Sequence, residues 1–253
     1  MKDRTGQIGC LRFNHLYPPF DKPGVRRVVL SAISQRDVIT AVAGTEPTLM
    51  KTDIGLFSPD SPLASDAGVA ITRGRQDFDR VSRELAAAGY QGERVVVLAA
   101  LSLPSTFAAA QVATDVLRKV GMEIDFQALD WDAVVQRRAS KEPIERGGWS
   151  IFYTFLGGLG NISPGPNFPL RADGLEAWFG WPTDPAMEAL RDAWFEAADL
   201  AAQQTTCRQM QELFWQDPSY MPLGLFQHPT AFRSELRDIP DGWPQFYGVR
   251  RVS

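Results

Sequence analysis

Residues 76–155 alternate amphipathic and continuously apolar segments, and this alternation restricts the fold more than any other feature of the chain. The run RVVVLAAL (residues 94–101) is apolar and β-branched, as in a strand buried on both faces. Before it stands QDFDRVSRELAAAGY. There Phe78, Val81, Leu85 and Ala88 share a helical face, and Gly89 sits where a left-handed helix stop is expected. After it comes PSTFAAAQVATDVLRKVG, with Pro104 near the first turn and Gly121 at the end. MEIDFQAL alternates like a strand, DWDAVVQRRAS reads as a third helix with Asp130 as N-cap, and WSIFYTF as a third strand. Strand, helix, strand, helix, strand at this spacing predicts parallel strands joined by right-handed crossovers.

The flanks are less regular. IGCLRFN (residues 8–14) reads as a short strand, YPPFDKPG as a turn, VRRVVLSAISQ as a helix and RDVITAV as a second short one. Residues 44–74 carry Pro47, Pro59 and Pro62 among glycines and aspartates, which predicts a long loop-rich excursion, either a binding loop or a solvated connector. TDPAMEALRDAWFEAADLAAQQ predicts one long helix capped by Thr183. A further helix follows, with Cys207, Met210, Leu213 and Phe214 inward, and then the strand YMPLGLFQH.

A chain of 253 residues, 44% hydrophobic and 22% charged, can bury a sizeable core without staples. Its net charge of -4 gives no support to a nucleic-acid partner. Cys10 and Cys207 fit no metal spacing, which predicts two unpaired thiols rather than a bridge. No apolar run is long enough to span a bilayer, and MKDRTGQIGC lacks the apolar core of a secretory signal.

Candidate chemistry centres on WSIFYTFLGGLGNISPGPNF (residues 149–168). Gly158, Gly160 and Ser163 match the dinucleotide pattern only with its last position relaxed. Pro164, Pro166 and Pro169 then forbid the helix whose amides would hold a pyrophosphate. The loop instead reads as lining a crevice at the carboxyl end of a parallel strand, or as a plain connection. His15 and His228 have no ligand-spaced partners, no G-x-S-x-G occurs, and no acid, base and nucleophile set assembles. Asp130 and Asp132 suit helix capping. Trp149, Trp178, Trp181, Trp194, Trp215 and Trp243 crowd the second half and suit a core. Trp181, in WFGWPTDP, is the one singled out as able to face a crevice and stack on a ligand.

RFNHLYPPFDKPGVRRVVLSAISQRDVI resembles the segment that enters the second lobe of the peptide- and oligopeptide-type solute-binding proteins of ABC importers, family 5. LAAAGYQGERVVVL, VLRKVGMEIDFQALDWDAVVQRR, GGWSIFYTF followed by GG, AWFGWPTDPAMEALRDAW and QELFWQDPSYMPLG agree in order and spacing, so the resemblance runs over residues 8–249.

The resemblance implies an α/β fold: one lobe of a type II periplasmic-binding-protein-like architecture, a parallel-rich sheet flanked by helices with hinge strands at both ends. Residues 1–14 would be a hinge strand and the remnant of a missing N-terminal lobe, 15–220 the C-terminal lobe, and 221–253 the hinge strand returning. The export signal and first lobe would precede Met1. The implied role is solute binding without catalysis or cofactor, in the periplasm or another extracytoplasmic space. The implied partners are a peptide or small solute, a membrane permease and the missing lobe.

In peptide-binding relatives an aspartate after the GGW strand meets the peptide amino terminus. Here that loop has no acid, which favours a blocked peptide, an opine-like compound or a sugar derivative. Expected contacts are Gly158, Asn161 and Asn167 from the loop, Ser102 and Ser105 from SLPST, apolar walls from Phe57, Tyr153 and Phe168, and Trp181. An effector-sensing domain of a transcriptional regulator with the same fold, or an unrelated α/β enzyme, stands as an alternative.

Overall fold

The computed structural model describes residues 5–240 and 245–252; Trp243 lies outside them. Strands β1 (Gln7–Phe13), β2 (Met50–Lys51), β3 (Arg94–Ala100), β4 (Glu123–Leu129), β5 (Ile151–Gly157) and β6 (Tyr220–Phe226) form one sheet in the order β2-β6-β1-β5-β3-β4. β3 pairs in parallel with both β4 and β5, as the alternation predicts. β1 is antiparallel to β5 and β6, and β2 is antiparallel to β6. β3, β4, β5 and β6 therefore run one way and β1 and β2 the other, so the sheet is mixed but parallel-rich. A small ribbon pairs β7 (Leu236–Arg237) with β8 (Arg250–Arg251).

Helices α1 (Pro23–Ala32), α2 (Gln35–Ala43), α3 (Phe78–Ala87) and α4 (Pro104–Lys119) join Leu11, Phe13, Val97, Ile151 and Tyr153 in the larger core. Ser34 breaks α1 from α2 and accepts a hydrogen bond from the Asp37 amide at 3.2 Å, as an N-cap does. The opposite sheet face carries Val96, Leu98, Ala100 and Phe152. They pack with Val134 of α5 (Trp131–Arg137) and with Trp149 and Trp181.

Three local expectations are corrected. The long helix is two: α6 (Pro185–Phe195) ends before Asp199 starts α7 (Leu200–Phe214), its carboxylate accepting from the Ala202 amide at 2.9 Å. The cap of α6 is Asp184 rather than Thr183, since Asp184 accepts from the amides of Ala186 and Met187. Asp130 holds the N-cap position of α5 but makes no side-chain cap bond there.

Much of the 44–74 excursion packs into the lobe rather than forming a solvated connector. Ile54, Leu56, Phe57, Leu63 and Val69 are buried. Buried amide side chains pin it: Gln35 bonds Ile54 and the carbonyl of Pro222, and Gln211 bonds the amide of Leu56 and the carbonyls of Ser65 and Ala67. Gly55 is required there, because a Cβ would stand 1.9 Å from Gln211 Oε1.

Arg12, near the carboxyl end of β1, is fully buried and has no carboxylate partner among the described residues. Its guanidinium donates to the carbonyls of Phe179 (2.6 Å), Pro169 (2.8 Å) and Trp178 (3.2 Å) and to Ser219 Oγ (3.3 Å), and lies 5.2 Å from the Trp178 ring. Residues 169–180 are thereby strapped across the second sheet face. Gly180, at φ 99°, passes so close that a Cβ would meet the Phe13 carbonyl at 2.2 Å. Asn14 and Arg26, both in the family-like segment, are structural as well. Asn14 donates to the Trp149 carbonyl at 2.9 Å, and Arg26 bonds Phe20, Pro218 and Asp217. Both cysteines are free and buried, and burial pushes each thiol up to about 12.

Arg12→Met takes the side-chain donor from the carbonyls of Pro169 and Phe179, while that of Trp178 keeps the Trp181 amide, and is expected to lower unfolding free energy by about 2–4 kcal/mol in urea titration. His15 is half-buried beside Arg26 and Arg12, and desolvation of its ring first, then those cations, hold its pKa well below the usual 6.5. The unfolded chain then binds a proton that the folded one refuses. Stability is therefore expected to fall as pH drops below about 6.5, by at most ~1.4 kcal/mol per unit. His15→Asn should flatten that dependence between pH 6.5 and 5, read by denaturation at each pH.

Candidate functional site

β3 and β5 are in register only at Val97 with Ile151 and Leu98 with Phe152. Beyond that, β3 turns off at Ala100 toward α4, while β5 continues along β1 to Gly157. The parting leaves a crevice at the carboxyl end of the parallel strands, where open α/β sheets bind ligands. It is an open hollow of about 300 Å3 lined by Gln7, Leu103, Pro104, Ser105, Thr106, Trp131, Thr154, Phe155 and His228. No acid is among these residues. A larger hollow of about 490 Å3 lies between α1 and α3 beside the Arg75–Glu84 ion pair. No strand residue lines it, and it lacks the convergence of elements that marks the crevice.

Each wall has a local cause. Ser102 Oγ accepts from the Trp131 amide at 2.9 Å, so a serine from the β3 loop caps α5 in place of Asp130 and fixes Trp131 at the crevice. The Arg138 guanidinium lies 5.2 Å from the Trp131 ring and 4.7 Å from that of Phe179; burial lowers its pKa. On the other side Phe155 packs edge-on against Phe226 (4.9 Å), which meets His228 (4.4 Å). The Phe155 ring lies over Gly9 of β1, where a Cβ would stand 3.0 Å from it and 2.9 Å from the Leu223 Cβ.

The residues expected from the sequence are not brought together. Ser102 is exposed at the crevice margin, and Ser105 lines it inside the first turn of α4, whose N-cap position is Leu103. Tyr153 faces the larger core, its hydroxyl 3.2 Å from Thr114 Oγ1 and its acidity suppressed by burial. Phe57 is in the same core. Asn167 is buried and donates to the Leu56 carbonyl at 3.2 Å. Asn161 is buried too, and its backbone carbonyl accepts from Ser58. Gly158 touches the backbone of Thr5, where a Cβ would fall 1.9 Å from its carbonyl oxygen. Phe168 is half exposed with its ring 5.0 Å from Trp178 on the second sheet face. Trp181 is buried 6.0 Å from Trp149, at the amino end of β5, and adopts a φ of 51°.

Sequence reasoning missed Gln7, Trp131, Thr154, Phe155 and His228. A usable signal was present for Trp131 and Thr154: both sit at or near the carboxyl ends of strands already recognised, β4 and β5.

An α/β sheet with helices on both faces and a one-sided crevice at its strand ends defines a lobe of the periplasmic binding-protein class. Solved structures agree. A dipeptide-binding protein from Pseudoalteromonas sp. SM9913, in complex with Met-Leu, superposes with a TM-score of 0.77 at 18% identity, covering 100% of this chain and 50% of that one. A periplasmic binding protein associated with an ABC transporter of Helicobacter pylori, in complex with a peptide, gives 0.76 at 15% identity, with coverage of 99% and 48%. The profile of the bacterial extracellular solute-binding proteins, family 5 Middle, matches residues 1–172, and the chain belongs to that family. It is 29% identical over 251 residues to a probable peptide ABC transporter periplasmic-binding protein of Sinorhizobium fredii, covering 99% of this chain and 47% of that protein. The chain spans about half the length of the curated relative it matches.

If Ser102 rather than Asp130 caps α5, Ser102→Ala costs about 1 kcal/mol in urea unfolding, and Asp130→Ala costs measurably less.

Proposed function

We propose that the chain is the C-terminal lobe of an extracytoplasmic solute-binding protein that delivers a solute to an ABC permease, and that its role is binding rather than catalysis. The observation that carries this reading is the one-sided crevice: two aromatic faces, Trp131 and Phe155, stand among uncharged hydrogen-bonding groups, with no opposing wall. Aromatic faces with a few polar groups are the usual composition of a solute site.

The path of the chain supports a hinge. β1 begins and β6 ends at the crevice, and Gln7 is paired with Phe226, so the two strands leave the lobe side by side. A second lobe carried on these strands would close over the crevice. The solute would then shift the open–closed equilibrium by its greater affinity for the closed form. On this reading residues 1–14 and 221–253 are the hinge segments and residues 15–220 the lobe.

The relative from Sinorhizobium is named for peptide transport, and the two superposed proteins hold peptides. The crevice here has no acid to receive a free ammonium group. We therefore assign a peptide-like solute with a blocked amino end, or an opine or sugar derivative. Ser102 and Ser105 are retained as contacts, with Gln7, Trp131, Thr154, Phe155 and His228 added. Gly158, Asn161, Asn167, Phe57, Tyr153, Phe168 and Trp181 lie elsewhere in the lobe and do not line this crevice.

Isothermal titration of the 253-residue chain with a mixture of short peptides is expected to show no micromolar binding, because one wall makes only part of the contacts. Micromolar affinity would contradict the two-lobe reading. In a two-lobed protein containing this chain, Trp131→Ala is expected to weaken solute binding about tenfold by removing a stacking face. Trp181→Ala should act on stability first.

A further inference from the structure

We infer that the crevice seats a carboxylate of the solute on the amino end of α4. This rests on the solute-binding reading above and adds the charge of the ligand group and its place.

α4 is sixteen residues long and ends its first turn at the crevice, with Leu103, Pro104, Ser105 and Thr106 all in the lining. Leu103 at the N-cap position offers no side-chain acceptor, and proline has no amide hydrogen. The first helical bond is from the Phe107 amide to the Leu103 carbonyl at 2.9 Å. The amides of Ser105 and Thr106 are left without an acceptor among the described residues. A helix start of this kind carries about half a positive charge and favours an anion.

A second observation points to the same ligand group. Thr106 is 3% exposed and Thr154 is 7% exposed, both line the crevice, and neither hydroxyl has a hydrogen-bond partner among the described residues. Neither oxygen is sealed off from the crevice, so both hydroxyls are available to a ligand there. The two reach the crevice from different elements, α4 and β5. Together they supply O–H donors beside two N–H donors, as a carboxylate with several lone pairs requires. No carboxylate of the protein competes: Asp130 precedes Trp131 but stands outside the lining. The same absence of acid makes the crevice a poor host for an ammonium group.

The test uses the 15N-labelled 253-residue chain, amide-resolved NMR and two probes at millimolar concentration: an N-acetyl dipeptide with a free carboxylate, and the same dipeptide as its C-terminal amide. The acid is expected to shift the Ser105 and Thr106 amide resonances with saturation, and the neutral amide to leave them in place. Leu103→Asp places a carboxylate at the cap and should abolish the shift while raising the melting temperature, which shows that the variant folds. Thr106→Val should weaken the acid at least fivefold. Equal shifts from both probes overturn the carboxylate assignment and leave the solute-binding reading intact. So does persistence of the acid shift in Leu103→Asp. No shift anywhere in the crevice with either probe likewise overturns the carboxylate assignment.

Discussion

The buried guanidinium of Arg12 is the interaction on which the rest of the lobe depends. Burial lowers its pKa to about 10, yet it stays a cation at neutral pH because three backbone carbonyls and a serine hydroxyl replace its water. Carbonyl oxygens rather than a carboxylate do this, so the cation acts on the path of the main chain. It draws residues 169–180, which have little regular structure, onto a sheet face that would otherwise be wet. Trp178 and Trp181 then complete the second core around Phe152. That core backs the wall on which Trp131 is mounted.

The crevice follows from strand lengths as much as from side chains. β3 and β5 part after two registered pairs, and the loop after β3 swings into α4 while β5 keeps β1 as its only neighbour. A parallel sheet in which one strand turns off early leaves a notch at its carboxyl end. Ser102 holds the far rim of the notch through the Trp131 amide, and Gly9 lets Phe155 lean across β1 to form the near rim. A solute meeting this notch finds flat apolar faces and hydrogen-bond donors on one side only. Tight capture then depends on an opposing surface.

Much of the architecture could be read from the chain because periodicity is a local property. The β3, β4 and β5 alternation, the glycines at φ 99° and 88° that end α3 and α4, and the α5 start all appear as expected. The caps were harder to read. Asp130 and Thr183 are plausible N-caps by type, but a cap is decided by which oxygen reaches the amide. Ser102 arrives from another loop, and Asp184 sits one residue further on. The family-like residues Asn14 and Arg26 proved to be scaffold, holding Trp149 and the 217–218 turn, rather than site.

The amino-acid sequence by itself determined the α/β class and the parallel β3–β5 unit, because these depend on residue type and spacing along the chain. Only the tertiary structure decided which side chains share a surface. Asn161, Asn167, Tyr153 and Trp181 look available in a glycine-rich or aromatic stretch, yet each is buried against elements distant in sequence. Gln7, Thr154 and His228, from three separate strands and turns, meet at one rim. Exposure is set by long-range packing, which local pattern does not carry.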